Sequence, residues 1–101
     1  MDKAEALRRL RDREADLRAL GIEQLSLFGS TARGDARADS DVDLAAVVDY
    51  DAIRQLGPFG FFGIEDRIAS LLGAKVDFVT EPHERAPRLQ AEIDRDRVRV
   101  F

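Results

Sequence analysis

The sequence predicts an α/β domain built on a mixed sheet of three or four strands, with helices packed on one face and a reactive site on the other. Two observations predict it. Short, largely apolar runs over residues 25–28, 41–48 and 75–80, the second of them β-branched, alternate with segments whose apolar residues recur at helical spacing. The connections between them carry Gly or Pro and are too short to divide the chain, so its 101 residues form one domain around one core.

The elements follow in order. Over residues 2–20, Ala4, Leu7, Leu10, Leu17 and Leu20 fall at spacings of three and seven among charged residues, and Gly21 follows as a stop. That pattern predicts one amphipathic helix. Leu25 to Phe28 is a short strand running into Gly29-Ser30, where Ser30 is suited to cap a brief helical turn through Arg33 that Gly34 ends. Residues 35–40 are polar and loop-like, and Asp41 to Val48 is the central strand. Tyr50 to Gly63, with Gly57, Pro58, Gly60 and Gly63, reads as an irregular connection feeding a helix that places Ile64, Ile68, Leu71 and Leu72 on one face and stops at Gly73. Lys75 to Thr80 is a third strand ended by Pro82. Pro87 opens a last helix through about Asp94, and Val98, Val100 and Phe101 alternate with arginine as an edge strand.

Composition excludes several kinds of chemistry. With no cysteine there is no disulfide, thiol nucleophile or zinc–thiolate site, and one histidine cannot make a histidine-rich metal site. The net charge is −4, and Arg8, Arg9, Arg11, Arg13 and Arg18 are interleaved with Asp12, Glu14 and Asp16, so no basic stripe for direct nucleic-acid binding is expected. The N-terminus mixes both charge signs and no run approaches the ~20 apolar residues of a membrane span. A cytoplasmic protein with no membrane association is the expectation.

The chemistry concentrates in Leu27-Phe28-Gly29-Ser30-Thr31-Ala32-Arg33-Gly34, in Asp39-Ser40-Asp41-Val42-Asp43-Leu44, and in Val76-Asp77-Phe78-Val79. A Gly-Ser pair between a strand and a helical turn offers backbone N–H groups to a triphosphate. In a strand Asp41 and Asp43 share a face, while Val42, Leu44, Ala46 and Val48 bury against helices on the other. Asp77, alone among apolar neighbours, adds a third carboxylate from an adjacent strand. Three such carboxylates repel one another, and hard oxygen donors favour Mg²⁺ or Mn²⁺, with two ions ~3.5 to 4 Å apart able to share the Asp41–Asp43 pair.

Other motifs do not fit. The Gly-Ser turn lacks the Gly-Lys-Ser/Thr ending of a P-loop, and no Gly-x-Gly-x-x-Gly occurs. A calcium loop starting at Asp39 would have Leu44 where glycine is needed and Tyr50 where a bidentate glutamate belongs.

Gly29-Ser30, a ten-residue spacer, Asp41-Val42-Asp43 and the later Asp77 together resemble the DNA polymerase β-like nucleotidyltransferase superfamily, and the fuller string resembles its minimal nucleotidyltransferase (MNT) branch, several members of which are antitoxins of HEPN-type toxins. The resemblance runs from the first helix to the last. It implies a single minimal nucleotidyltransferase domain over 1–101 in which Gly29 and Ser30 hold the β and γ phosphates and Asp41 and Asp43 ligate two Mg²⁺ ions. Asp77 would bind the catalytic ion and help deprotonate the attacking hydroxyl. It further implies ATP as substrate and a tyrosine hydroxyl of a HEPN-type toxin as acceptor. Non-catalytic sequestration of the toxin, and transfer to a small molecule such as an aminoglycoside, with a homodimer supplying a second wall, stand as alternatives.

Arg33 lies one turn past Ser30, within reach of a phosphate or of Asp35 and Asp39 as ion-pair partners. Asp39 is suited to an Asx-type turn before the strand, Lys75 shares a strand face with Asp77, and His83 reads as a loop residue. Of Phe59, Phe61 and Phe62, at least one ring is expected in the core, and any remainder on the surface would mark an interface.

Overall fold

The computed structural model describes residues 1–101. Helices α1 (Lys3–Arg11) and α2 (Glu14–Ala19) precede β1 (Ile22–Phe28), the short helix α3 (Gly29–Arg33), β2 (Val42–Val48), α4 (Tyr50–Gln55), α5 (Gly60–Leu72), β3 (Val76–Thr80), α6 (Pro87–Asp96) and β4 (Val98–Arg99). The four strands form one mixed sheet in the order β3-β2-β1-β4, with β2 and β3 parallel and the other pairs antiparallel.

Strand periodicity divides the sheet cleanly. Leu25 and Leu27 of β1 and Val42, Leu44, Ala46 and Val48 of β2 face a core completed by Ala6 and Leu10 of α1, Leu17 of α2, Ile53 of α4, and Ile64, Ile68 and Leu72 of α5. Most of these side chains are fully buried, and each large aliphatic one contributes about 1.5–3 kcal/mol through its removal from water. The opposite face carries Phe28, Ala45 and Val79, and α6 packs there through Ile93 and Leu89. Helices thus cover one face as the sequence predicts, with α6 as an addition on the face that bears the aspartates. Ile93, fully buried, is its main apolar anchor there.

The single helix expected over 2–20 is two. At the positions three and four after Leu10, where an apolar residue would pin a continuous helix to the core, the chain has Arg13 and Glu14, and α1 ends with Arg13 N–H bonded to the carbonyl of Leu10 at 3.1 Å. The last helix runs to Asp96 rather than Asp94, and β1 begins at Ile22, three residues earlier than predicted, because Ile22 pairs with Val48 across an irregularity near Glu23.

The stretch expected to be irregular after Tyr50 holds a full helical turn and the start of another helix. The Asp49 carboxylate caps α4, accepting from the N–H groups of Asp51 at 3.0 Å and Ala52 at 3.3 Å. Gly60 then lets α5 cross closely: a side chain there would begin 2.8 Å from the Ile53 carbonyl oxygen. That crossing turns the aromatic cluster outward, contrary to the expected buried ring. Phe59 and Phe62 are 74% and 69% exposed, and Phe61, at 39%, tilts against Tyr50 with ring centroids 6.3 Å apart. No helix is long and apolar enough to cross a membrane.

Candidate active site

The candidate site forms where β1 ends against the start of β2 and β3. Register fixes its centre. Phe28 pairs with Asp43 across the antiparallel β1–β2 ladder, and Asp43 pairs with Asp77 across the parallel β2–β3 ladder. Asp43 and Asp77 are therefore lateral neighbours on one face, at the ~4.8 Å spacing of adjacent strands. Asp41 stands one residue before β2 rather than inside it, because the parallel ladder begins at Val42 with Val76; it is exposed beside the same sheet end.

Gly29 joins this pair to the turn. It is the first residue of α3, is buried, and has φ +70°, and an added Cβ would collide with Oδ2 of Asp43 and lie 3.1 Å from its Cγ. Only a residue without a side chain lets the carboxylate lie against the backbone here. Ser30 does not cap the helix as expected. Phe28 occupies the cap position with extended backbone, and Ser30 is the second helical residue, half-exposed. The first N–H groups of a helix have no intrahelical acceptor, so those of this turn remain suited to an anion.

Electrostatics mark Asp43 as the strained group. Burial, then the negative charges of Asp77, Glu92 and Asp41, push its carboxyl from 3.8 up to about 6, while Arg33 pulls it down. The same groups bear on the metal the motif calls for. As the side chains lie, no three acidic or histidine groups close into a metal cluster. The donor set nonetheless fits a hard divalent cation: two carboxylates are adjacent by register, a third stands at the same strand end, and a partly desolvated acid is held against like charge that a cation would relieve.

Arg33 is engaged within the protein. Its Nε donates to Asp35 at 3.3 Å and its Nη1 to Asp96 at 2.7 Å, and these two carboxylates, Asp96 foremost, hold the guanidinium pKa above its ordinary value. The loop before β2 is tied by Ser40, whose hydroxyl accepts from the Arg37 N–H, in place of the Asx turn expected at Asp39. Lys75 is exposed just ahead of β3, and His83 donates its backbone N–H to Gln90.

Two residues near the site carry no signal in the sequence, Glu92 and Asp96 of α6. Helical phase from Leu89 and Ile93 places both on the flank of α6 nearer α3, and the Asp96–Arg33 bond confirms that side. Gln90, Asp94 and Arg97 take the other flank. There Arg97 donates to Glu81 at 2.6 and 2.8 Å and to the buried Ser26 hydroxyl at 3.0 Å, locking α6 to the sheet.

A nucleotidyltransferase domain family matches residues 5–100. The chain is 41% identical over 59 residues to protein adenylyltransferase MntA of Thermococcus cleftensis, a match spanning 58% of this chain and 56% of that protein. Among solved structures it is similar to one provisionally named a minimal nucleotidyltransferase, with TM-score 0.67 and 31% identity over 97% of this chain and 95% of the other. It also shares the fold of a complex between a tri-AMPylated Shewanella oneidensis HEPN toxin and an MNT antitoxin, at TM-score 0.58 and 18% identity over 94% and 71% of the two chains. With its Gly-Ser turn and aspartates gathered at one end of the sheet, and with the family match running through nearly the whole chain, this protein belongs to the nucleotidyltransferase domain family, alongside the minimal nucleotidyltransferases.

Proposed function

We propose that this chain is a Mg²⁺-dependent nucleotidyltransferase that moves AMP from ATP to a hydroxyl of a HEPN-type toxin and so acts as its antitoxin. The observation that carries this is the contact between the Gly29 backbone and the Asp43 carboxylate, with Asp77 beside Asp43 in register. It sets the free N–H groups of the Gly29-Ser30 turn against a paired acidic site. The AMPylated toxin in the related complex supplies the class of acceptor.

Asp41, Asp43 and Asp77 would hold the metal, which supplies electrophilic stabilisation of the attacking and leaving oxygens of an in-line displacement. The Gly29-Ser30 turn donates N–H groups to the β and γ phosphates, and Arg33 adds positive charge one helical turn further on. Asp77 accepts the proton of the acceptor hydroxyl. The new bond joins that oxygen to the α-phosphorus, and the bond from phosphorus to pyrophosphate breaks.

Incubation with α-labelled ATP, Mg²⁺ and a HEPN-type partner should label the partner, and Asp41→Asn or Asp43→Asn should abolish the label. Labelling that persists in both variants would sink the proposal. Because the carboxylates do not close into a metal cluster as they lie, sequestration without catalysis is the second possibility. It is favoured if Asp41→Asn combined with Asp77→Asn still neutralises the toxin without ATP.

A further inference from the structure

Asp96 is an odd residue for its place. It ends α6, where a negative charge opposes the helix dipole, yet its side chain is only 4% exposed. Two guanidinium groups converge on it. Arg33 donates from Nη1 at 2.7 Å, and Arg95, itself 67% exposed, donates from Nε at 3.0 Å and Nη2 at 3.2 Å. The Arg33 bond crosses 63 residues of sequence, from α6 back to the helix that begins at Gly29.

The strand pairing explains why these groups meet. Two residues beyond Asp96, Val98 pairs with Leu27, and two residues beyond Leu27 the chain reaches Gly29. The end of α6 is thus anchored at the root of the Gly29-Ser30 turn. Arg33 spends Nε on Asp35 and one Nη1 hydrogen on Asp96, which fixes the plane of the guanidinium while Nη2 stays available to a further acceptor.

We infer that Asp96 is a positioning residue for nucleotide binding: it holds Arg33 in one orientation beside the Gly29-Ser30 turn, so that the free guanidinium edge meets a phosphate already aligned. The inference rests on the proposed nucleotidyl transfer, since it needs a phosphate at that turn. A charge-assisted bond to a fixed donor is stronger and more directional than one to a mobile arginine. Asp96 contributes by removing that freedom before the nucleotide arrives.

Equilibrium binding of ATP with Mg²⁺, without acceptor, tests this. Asp96→Asn should weaken ATP binding roughly tenfold, the scale of one hydrogen bond to a charged group, and Asp96→Glu should restore part of it. In an Arg33→Ala background, Asp96→Asn should cost no further affinity, because its effect passes through Arg33. Unchanged ATP affinity in Asp96→Asn alongside a lowered Tm would overturn the inference and leave a structural role. So would additive losses in the double variant. If the unaltered protein binds no ATP while folded, the nucleotidyl transfer proposal itself fails, and the inference with it.

Discussion

Replacing Gly29 by alanine probes the junction between the phosphate turn and the acidic pair. Two costs add there. At φ +70° an alanine is held in left-handed backbone, which costs about 1–2 kcal/mol. Its Cβ would also enter the space of the Asp43 carboxylate, and forcing packed atoms apart costs about 1–3 kcal/mol more. Gly34→Ala separates the two costs, because Gly34 also has positive φ, +82°, but a Cβ there would meet no atom within 4 Å. Urea denaturation should therefore show Gly29→Ala less stable than Gly34→Ala by about 1–3 kcal/mol, a further fall in Tm of roughly 4–8 °C for each kcal/mol in a domain of this size. Mg²⁺ binding should fail in Gly29→Ala alone. Equal destabilisation by the two substitutions, or intact metal binding in Gly29→Ala, would refute the coupling between turn and carboxylate.

Three further outcomes follow from the charges. The folded Asp43 carboxyl titrates near 6 against 3.8 unfolded, so the folded state holds the extra proton between those values and loses stability as pH rises through them. Without divalent metal, Asp43→Asn should accordingly be more stable than the parent protein above pH 6, by about 1–2 kcal/mol after allowance for solvent screening, and the gain should vanish below about pH 4; denaturation curves across that range check it. Because Asp77 is the strongest like charge acting on Asp43, Asp77→Asn should lower the Asp43 midpoint in an NMR titration, and an unmoved midpoint would deny their adjacency. Arg97→Ala leaves the Glu81 carboxylate, whose side chain is 7% exposed, without its charged partner and with the Gln90 amide as its remaining side-chain donor, and should cost about 3 kcal/mol at pH 7. Glu81 titrates below 4.5 chiefly because Arg97 bonds it, so the loss, followed by urea denaturation, should shrink as pH falls through and below that value.

The site is legible in the sequence where one residue type at one spacing has one use. The placing of Gly29-Ser30 where a strand passes into a helix, and the alternation that puts Asp43 on one face and Val42 and Leu44 on the other, are legible in the sequence and hold in the structure, but the cap position falls to Phe28 and not to Ser30. Asp41 falls just outside the strand that the sequence predicts for it, because alternation says which side a residue takes but not where pairing begins. The helix break at Arg13 follows from a missing apolar contact that the leucine spacings alone pass over. The outward turn of Phe59 and Phe62 depends on how closely α4 and α5 cross at Gly60, a tertiary fact with no local signature. Asp96 and Glu92 are illegible for a related reason: their roles exist only once α6 lies across the sheet.

The most direct measurement is the intact mass of a HEPN-type partner after incubation with this protein, ATP and Mg²⁺. The expected result is whole adenylyl increments on the partner, lost with Asp43→Asn. Phosphoryl increments in their place, or adenylyl increments that survive Asp43→Asn, would contradict it.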